Sequence, residues 1–185
     1  PKNGGYGQGN NMGVKNSLGD IILIMNPDVR MVEPLFKKAV NYFDSNKEVA
    51  LLGMKQWYNK GKEGLSFDVD PSYSFLHPFL CAIKSRIYNK LSKFDNRDMY
   101  INGSCFFICK QPFVKIGMFD EKIFMYCEEK DLNRRLRNSG YEITFDKNMN
   151  YFHLAGERSF SYDEFRMTLD SELSYYRKNN LDEIE

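Results

Sequence analysis

The chain has 185 residues, enough for one domain with its own core, and 42% of them are apolar, which excludes a disordered segment. A formal net charge of +1 provides no global field that would call for nucleic acid as a partner. The four cysteines, Cys81, Cys105, Cys109 and Cys127, contain no CxxC pair, which points to reduced thiols in a cytosolic protein and away from a disulfide framework or zinc site.

In chain order, Asn3 to Gly19 is rich in Gly and Asn, and a short helix is expected from about Asn11. Ile21 to Met25 (IILIM) is a continuous apolar run bounded by Asp20 and Asn26, the pattern of a buried parallel strand. It stops at Asn26-Pro27-Asp28. A helix is predicted from about Glu33 to Ser45. Pro34 falls in its first turn, where the missing N–H does no harm, and Leu35, Ala39 and Tyr42 share one face. Glu48 to Met54 (EVALLGM) is a second apolar strand, so strand, helix and strand make a βαβ unit and the class is α/β.

Trp57 to Asp98 carries turn signals at Gly61, Gly64, Pro71 and Pro78, then a helical stretch near Leu80 to Leu91. Its apolar face is Leu80, Ile83, Ile87 and Leu91, with Lys84, Arg86 and Lys90 nearby. Core packing with a solvated basic face is the expectation, and resting on a membrane surface is the alternative. A third strand is expected at Ser104 to Cys109, a short helix opening at Pro112, and a helix from about Cys127 to Asn138 with Gly140 as its C-cap. Two strand-like pieces, Tyr141 to Phe145 and Met149 to Phe152, end at His153. Tyr162 to Asn179 reads as an amphipathic helical tail. No apolar run approaches the roughly 20 residues that span a bilayer, and no signal-peptide pattern is present.

Ligands in open α/β sheets bind beyond the carboxyl ends of the parallel strands. Asn26 and Asp28 stand there, and Pro27 keeps the backbone extended so that their polar groups leave the sheet together. Asp28 can bind a divalent cation bridging two phosphates; equally, it can cap the following helix. Glu128, Glu129 and Asp131 open the Cys127 helix, where acidic residues complement the dipole. Glu129, Leu132 and Leu136, at i, i+3 and i+7, put Glu129 on the buried stripe. Asp131, with Arg134 and Arg135 at i+3 and i+4, is expected to be paired on a solvated outer face. A partly buried carboxylate has a raised pKa and can serve as a general base, which favours Glu129, although this cluster taken alone would be read as structural. His153 is a nitrogen donor near an acidic metal ligand or a hydrogen-bonded part of the fold; His77 is given no role. Gly4, Gly5, Gly7, Gly9, Asn10 and Asn11 would let backbone amides approach phosphates, or form an ordinary turn-rich loop.

The order of these segments is more specific than any one of them. NGGYGQGNNMG (Asn3 to Gly13), IILIMNPDV (Ile21 to Val29), NGSCFFICKQPFVKIGMFDEKIFMYCEEKDLNRRLRNSGYEITFD (Asn102 to Asp146) and a histidine at 153 together resemble the family 2 glycosyltransferases. They are most similar to the rhamnosyltransferase-like branch that builds bacterial surface polysaccharides. The resemblance covers nearly all of the chain outside Trp57 to Asp98. It implies a GT-A fold, a Rossmann-like, mixed, mostly parallel sheet flanked by helices, N-terminally incomplete because the first strands, which hold the nucleotide base, are absent. A chain beginning at Pro1 inside a loop is accordingly expected to be an internal piece of a longer protein. Residues 1–160 would form a partial GT-A catalytic domain, with 57–98 a variable acceptor-side segment, and 161–185 a C-terminal helical tail.

The implied activity is that of an inverting hexosyltransferase. It would move a sugar from a nucleotide-sugar donor to a saccharide or lipid-linked acceptor, in the cytoplasm or at the inner face of the membrane, with peripheral membrane association. Asn-Pro-Asp takes the place of the family's Asp-x-Asp motif, so Asp28 matches the aspartate that binds Mg²⁺ or Mn²⁺ and the donor diphosphate. Asn3, Gly9, Asn10 and Asn26 are the further donor-side positions. Glu128-Glu129 matches the acidic pair, with Glu129 at the base position and one methylene longer than the usual Asp. His153 matches the histidine that some members use at the metal. The competing classes are a non-catalytic nucleotide- or sugar-binding pseudoenzyme, a truncated product contributing to an assembly, and a nucleotidyltransferase, which would carry a Gly-rich loop followed by Lys or Arg on its first strand.

Overall fold

The apolar runs lay down strands and helices in alternation. A computed structural model describes residues 3–58, 61–73, 78–154 and 161–179. Helix α1 (Gly5–Asn16) precedes β1 (Ile21–Met25), β2 (Val29–Met31), α2 (Phe36–Ser45) and β3 (Val49–Tyr58). Then come β4 (Phe67–Val69), a 3-10 turn at Pro71–Tyr73, α3 (Pro78–Lys90), β5 (Met99–Ile101) and β6 (Cys105–Cys109). The chain continues through α4 (Lys110–Lys115), α5 (Glu128–Asn138), β7 (Glu142–His153) and α6 (Tyr162–Lys178).

Five strands form one sheet in the order β1-β6-β3-β7-β2, and β4 pairs with β5 in a separate ladder. The β3–β7 pair is parallel, whereas β1–β6, β6–β3 and β7–β2 are antiparallel. Thus β1, β3 and β7 point one way, and β6 and β2 run against them. The α/β class and mixed sheet are as expected, but the simple βαβ unit is not: β6 inserts between β1 and β3. Nor is β1 a doubly paired strand, since among the described residues it pairs only with β6. Its unbroken apolar run has another cause. Ile22 and Ile24 pack toward one core and Ile21 and Leu23 toward the other, so both faces are covered while the free edge leaves most of the strand half-buried.

The alternation of strand side chains divides the interior. On β6, Phe106 and Ile108 join a core with Phe67, Ile101, Phe113, Leu132 and Leu136, and Cys105 and Phe107 join one with Leu35, Ala39, Phe43 and Tyr151. Helix α2 begins at Phe36, later than its pattern suggests, and Phe43 rather than Tyr42 completes its buried face. The two pieces predicted before His153 are one strand, β7, with an irregularity between Asp146 and Asn150.

Two helices differ more from expectation. The Gly/Asn-rich start is helical from Gly5, because its polar residues tie it down. Buried Asn11 donates from Nδ2 to Phe119 O (2.9 Å) and accepts from Phe119 N–H (3.0 Å). Gly5 is required at the first turn: its φ is +87°, and a Cβ there would come within 2.1 Å of the Phe124 carbonyl. Helix α3 turns its apolar face outward, against the core-packing expectation. Its buried residues are Cys81, Ser85 and Asn89. Asn89 Oδ1 accepts from Ser66 N–H (2.7 Å) and Ser85 Oγ from Val69 N–H (3.0 Å), so the polar face serves amides at β4 that lack a strand partner.

Candidate active site

Because β1, β3 and β7 share a direction, their last residues meet the first residues of the opposed β6 and β2 at one end of the sheet. A cleft of about 620 Å³ opens there, lined by Tyr6, Asn26-Pro27-Asp28, Asn102-Gly103-Ser104, Met125, Tyr126, Glu128, Glu129 and His153. Its position matches the expected one, beyond the carboxyl ends of co-directional strands.

The backbone holds Asn26 to Asp28 at both ends. Asn26 N–H donates to Ser104 O (2.9 Å), Val29 N–H to Asn26 O (3.1 Å) and Leu154 N–H to Asp28 O (2.7 Å). Val29 then pairs opposite His153. This register brings Asp28 Oδ1 within 3.4 Å of His153 Nε2, with both side chains partly exposed. Tyr58, the last residue of β3, stacks against the imidazole at 6.4 Å. Asp28 does not cap α2, whose N-cap is Leu35.

An oxygen and a nitrogen at this separation are near the roughly 3 Å between adjacent ligand atoms of an octahedral ion such as Mg²⁺. The pair therefore fits a divalent cation as two of its ligands. Among the described residues no cluster of three His, Cys, Asp or Glu could hold a metal ion.

The chain reaches α5 through two consecutive left-handed residues, Tyr126 (φ 68°) and Cys127 (φ 67°). Each costs on the order of 1–3 kcal/mol in a non-glycine residue and persists only when its surroundings enforce it. Here α6 braces the turn: Ser171 Oγ donates to Met125 O (2.6 Å), and Tyr175 packs on Ile123 and Cys127. The turn delivers both glutamates to the cleft wall. Glu128 is buried with one carboxylate oxygen lacking a hydrogen-bond partner. Burial, then the charge of Glu129, pushes its carboxyl up to about 8. Glu129 is raised as well, by burial first, with the charge of Asp68 acting in the same direction. Its side chain lies against Gly103, whose carbonyl accepts from the Tyr6 hydroxyl. The two carboxyls line one wall of the cleft, where burial and the neighbouring negative charge both favour the protonated form of Glu128.

Asp131 is not on a solvated outer face. It is fully buried and pairs with Arg135 Nε (2.7 Å) and Lys178 Nζ (2.8 Å), because α6 lies across that side of α5. Arg134 turns instead to Ser72 Oγ (2.9 Å) and the Tyr175 hydroxyl (3.4 Å). At the far end of α5, Gly140 (φ +80°) closes the helix, with Gly140 N–H on Arg137 O and Tyr141 N–H on Leu136 O.

Of the other candidates, Asn3 accepts from Gly5 N–H at the start of α1 (3.0 Å). Gly9 and Asn10 line a separate groove along β1 with Ile21 to Ile24, apart from the cleft. His77 lies outside the described residues. Sequence reasoning missed Tyr6, Tyr58, Asn102 and Tyr126. Asn102 and Gly103 carried a usable signal, a polar turn immediately before the apolar β6. Below them, Ser104 Oγ, Tyr151 OH and Gln56 Oε1 form a buried triangle with sides of 2.7–2.8 Å.

The fold is of the GT-A type, and the proteins the chain is similar to in sequence are glycosyltransferases, rhamnosyltransferases among them. In sequence the chain is similar to rhamnosyltransferase WbbL of Escherichia coli K12, at 27% identity over 96% of this chain and 72% of that protein. It is also similar to the low-salt glycan biosynthesis hexosyltransferase Agl10 of Haloferax volcanii, at 26% identity over 76% of the chain and 46% of that protein. A 42-residue stretch is 40% identical to the N-acetylglucosaminyl-diphospho-decaprenol L-rhamnosyltransferase of Mycobacterium tuberculosis, covering 23% of this chain and 14% of that protein. No protein-family model matches the chain. In structure it resembles the mannosyltransferase PcManGT of Pyrobaculum calidifontis, in complex with GDP-Man and Mn²⁺, with a TM-score of 0.59 at 11% identity. That match covers 96% of this chain and 44% of the other. GalNAc-T7 with UDP, GalNAc and Mn²⁺ matches with a TM-score of 0.59 at 13% identity, over 90% of this chain and 34% of that one. No helix among the described residues is long and apolar enough to cross a membrane.

Proposed function

We propose that the chain carries out inverting transfer of a sugar from a nucleotide-sugar donor to a hydroxyl of a saccharide or lipid-linked acceptor. Surface polysaccharide synthesis at the cytoplasmic face of the membrane is the setting. The observation that carries this reading is a single cleft faced by an Asp28–His153 pair and a Glu128–Glu129 pair. In this scheme residues 1–160 are the catalytic unit, 57–98 its acceptor side, and 161–185 a helical tail.

Asp28 and His153 would hold Mg²⁺ or Mn²⁺, as the Mn²⁺ in both solved relatives suggests. An ion held there would supply positive charge to offset the charge on the departing nucleoside diphosphate. Asn26 stands beside Asp28 on the donor side of the cleft, whereas Gly9 and Asn10 line the separate groove along β1 and Asn3 holds the start of α1. Glu129 takes the proton of the acceptor hydroxyl, whose oxygen attacks the anomeric carbon from the face opposite the diphosphate. The bond to the phosphate oxygen breaks with its electron pair leaving on that oxygen, so configuration inverts without a covalent enzyme intermediate. Glu128, whose carboxyl is raised by burial and further by the charge of Glu129, keeps the proton and leaves Glu129 to act as base.

Glu129→Gln in the full-length enzyme is expected to lower kcat by about 10²–10⁴ while leaving donor KM within a few-fold. A base acts deprotonated, so its raised pKa sets an acidic limb in kcat/KM above the ordinary carboxylate range, and the variant should lose that limb. Near-normal turnover by Glu129→Gln removes it from the base role.

A further inference from the structure

The buried face of α3 is occupied by Cys81, Ser85 and Asn89, so Leu80, Ile83 and Ile87, with Leu91 just beyond the helix, are turned outward. They are 46%, 37%, 51% and 65% exposed. At 100° per residue these four fall on one stripe. Leu65, also exposed, extends the surface beside Arg86 and Lys90. An apolar stripe of this extent on a folded protein marks a contact with something else.

Charge indicates what that is. No Asp or Glu occurs on α3, which carries Lys84, Arg86 and Lys90, with Lys93 next in the chain. The nearby acids are already engaged: Asp98 with Lys84 (2.6 Å), Glu63 with Lys55 (3.0 Å) and Asp95 with Arg97 (2.7 Å). No carboxylate among the described residues pairs with Arg86, Lys90 or Lys93. A second copy docked through a two-fold axis would set these cations against their own counterparts. Apolar side chains flanked by unneutralised cations are what a helix lying in an anionic lipid headgroup layer requires.

We propose that α3 docks on an anionic phospholipid bilayer, with its Leu80–Leu91 stripe in the headgroup–acyl boundary. This deepens the proposed transfer reaction and rests on it for its purpose. Helix α3 packs on β4, β4 pairs with β5, and β5 runs directly into Asn102 and Gly103 at the cleft. Docking would hold that side of the cleft at the surface where a lipid-linked acceptor resides.

The test is co-flotation of the whole protein with phosphatidylcholine vesicles and with vesicles that also contain phosphatidylglycerol. Binding only to the anionic vesicles, weakening with salt, is expected. Ile83→Asn/Ile87→Asn should abolish it, and Arg86→Glu/Lys90→Glu should weaken it at least about tenfold. Absence of wild-type binding, equal binding to both vesicles, or binding unchanged in both variants overturns the proposal. Self-association of the wild type that Ile83→Asn/Ile87→Asn removes also overturns it, in favour of a second copy. Flotation needs no turnover. A protein that floats but shows no nucleotide-dependent thermal shift keeps the membrane face and loses the transfer reading, and the reverse result does the opposite.

Discussion

Glu128 carries a buried carboxylate oxygen with no hydrogen-bond partner, a feature folds seldom retain away from a functional site. Its carboxyl is raised from an ordinary 4.5 to about 8 by burial and by Glu129. The folded state therefore holds a proton that the unfolded chain releases, and the linked stability is fully present below about 4.5 and lost as pH rises toward 8. Glu128→Gln removes this dependence. Its melting temperature should match wild type near pH 5 and exceed it near pH 9 by roughly 5 °C, on the order of 2 kcal/mol. A difference independent of pH would mean the carboxyl is not protonated in the fold. The same residues mark how far sequence can be read. Asp28, Glu128, Glu129 and His153 were legible because each ends or opens an element with a clear pattern. Asp131 was misassigned because a helical wheel gives direction but not what lies there; its partner Lys178 comes from α6, late in the chain. Tyr6 reaches the cleft through the docking of Gly5 and Tyr6 onto Phe124, which no local pattern announces.

Among the elements, α3 and α6 show periodicity being overruled by hydrogen bonding. Both have exposed apolar residues, and both are attached through polar ones. Helix α6 starts with a capping box between Ser161 and Glu164 and is anchored by Tyr175, whose hydroxyl donates to Asp70 Oδ2 (2.6 Å). Asp70 is 1% exposed and otherwise depends on the Ser72 N–H and hydroxyl, both on Oδ1. Tyr175→Phe leaves a buried carboxylate oxygen short of its donor, which should cost about 1–3 kcal/mol and lower the melting temperature by roughly 2–10 °C. Amide exchange should quicken in α6 and in the Met125–Cys127 turn it braces. Tyr162→Phe, at an exposed ring, is the control and should change neither. Equal melting of the two variants would mean that the Tyr175 hydroxyl does not anchor the helix. The short strands β2, β4 and β5 were missed because three residues are too few to show alternation.

For the molecule as a whole, strand order decides where chemistry can occur, and strand order is not written in any local pattern. The insertion of β6 between β1 and β3 was unreadable, yet it carries Asn102 to Ser104 to the cleft, while the pairing of β2 with β7 sets Asp28 beside His153. If this end of the sheet binds a diphosphate through a divalent ion, binding should stabilise the entire fold, because its parts come from α1, β1, β7 and α5 together. Mn²⁺ with the correct nucleoside diphosphate at about 100-fold over Kd adds about 2.7 kcal/mol, a rise in melting temperature of roughly 5–10 °C. UDP, dTDP and GDP tested in turn identify the donor class by which one produces the shift. Chelation should abolish the rise. Asp28→Asn should lose it while melting close to wild type without ligand, because Asp28 is partly exposed and its backbone carbonyl, not its side chain, holds Leu154. A nucleotide shift that survives both chelation and Asp28→Asn would separate nucleotide binding from the Asp28–His153 pair and remove that pair from the metal role.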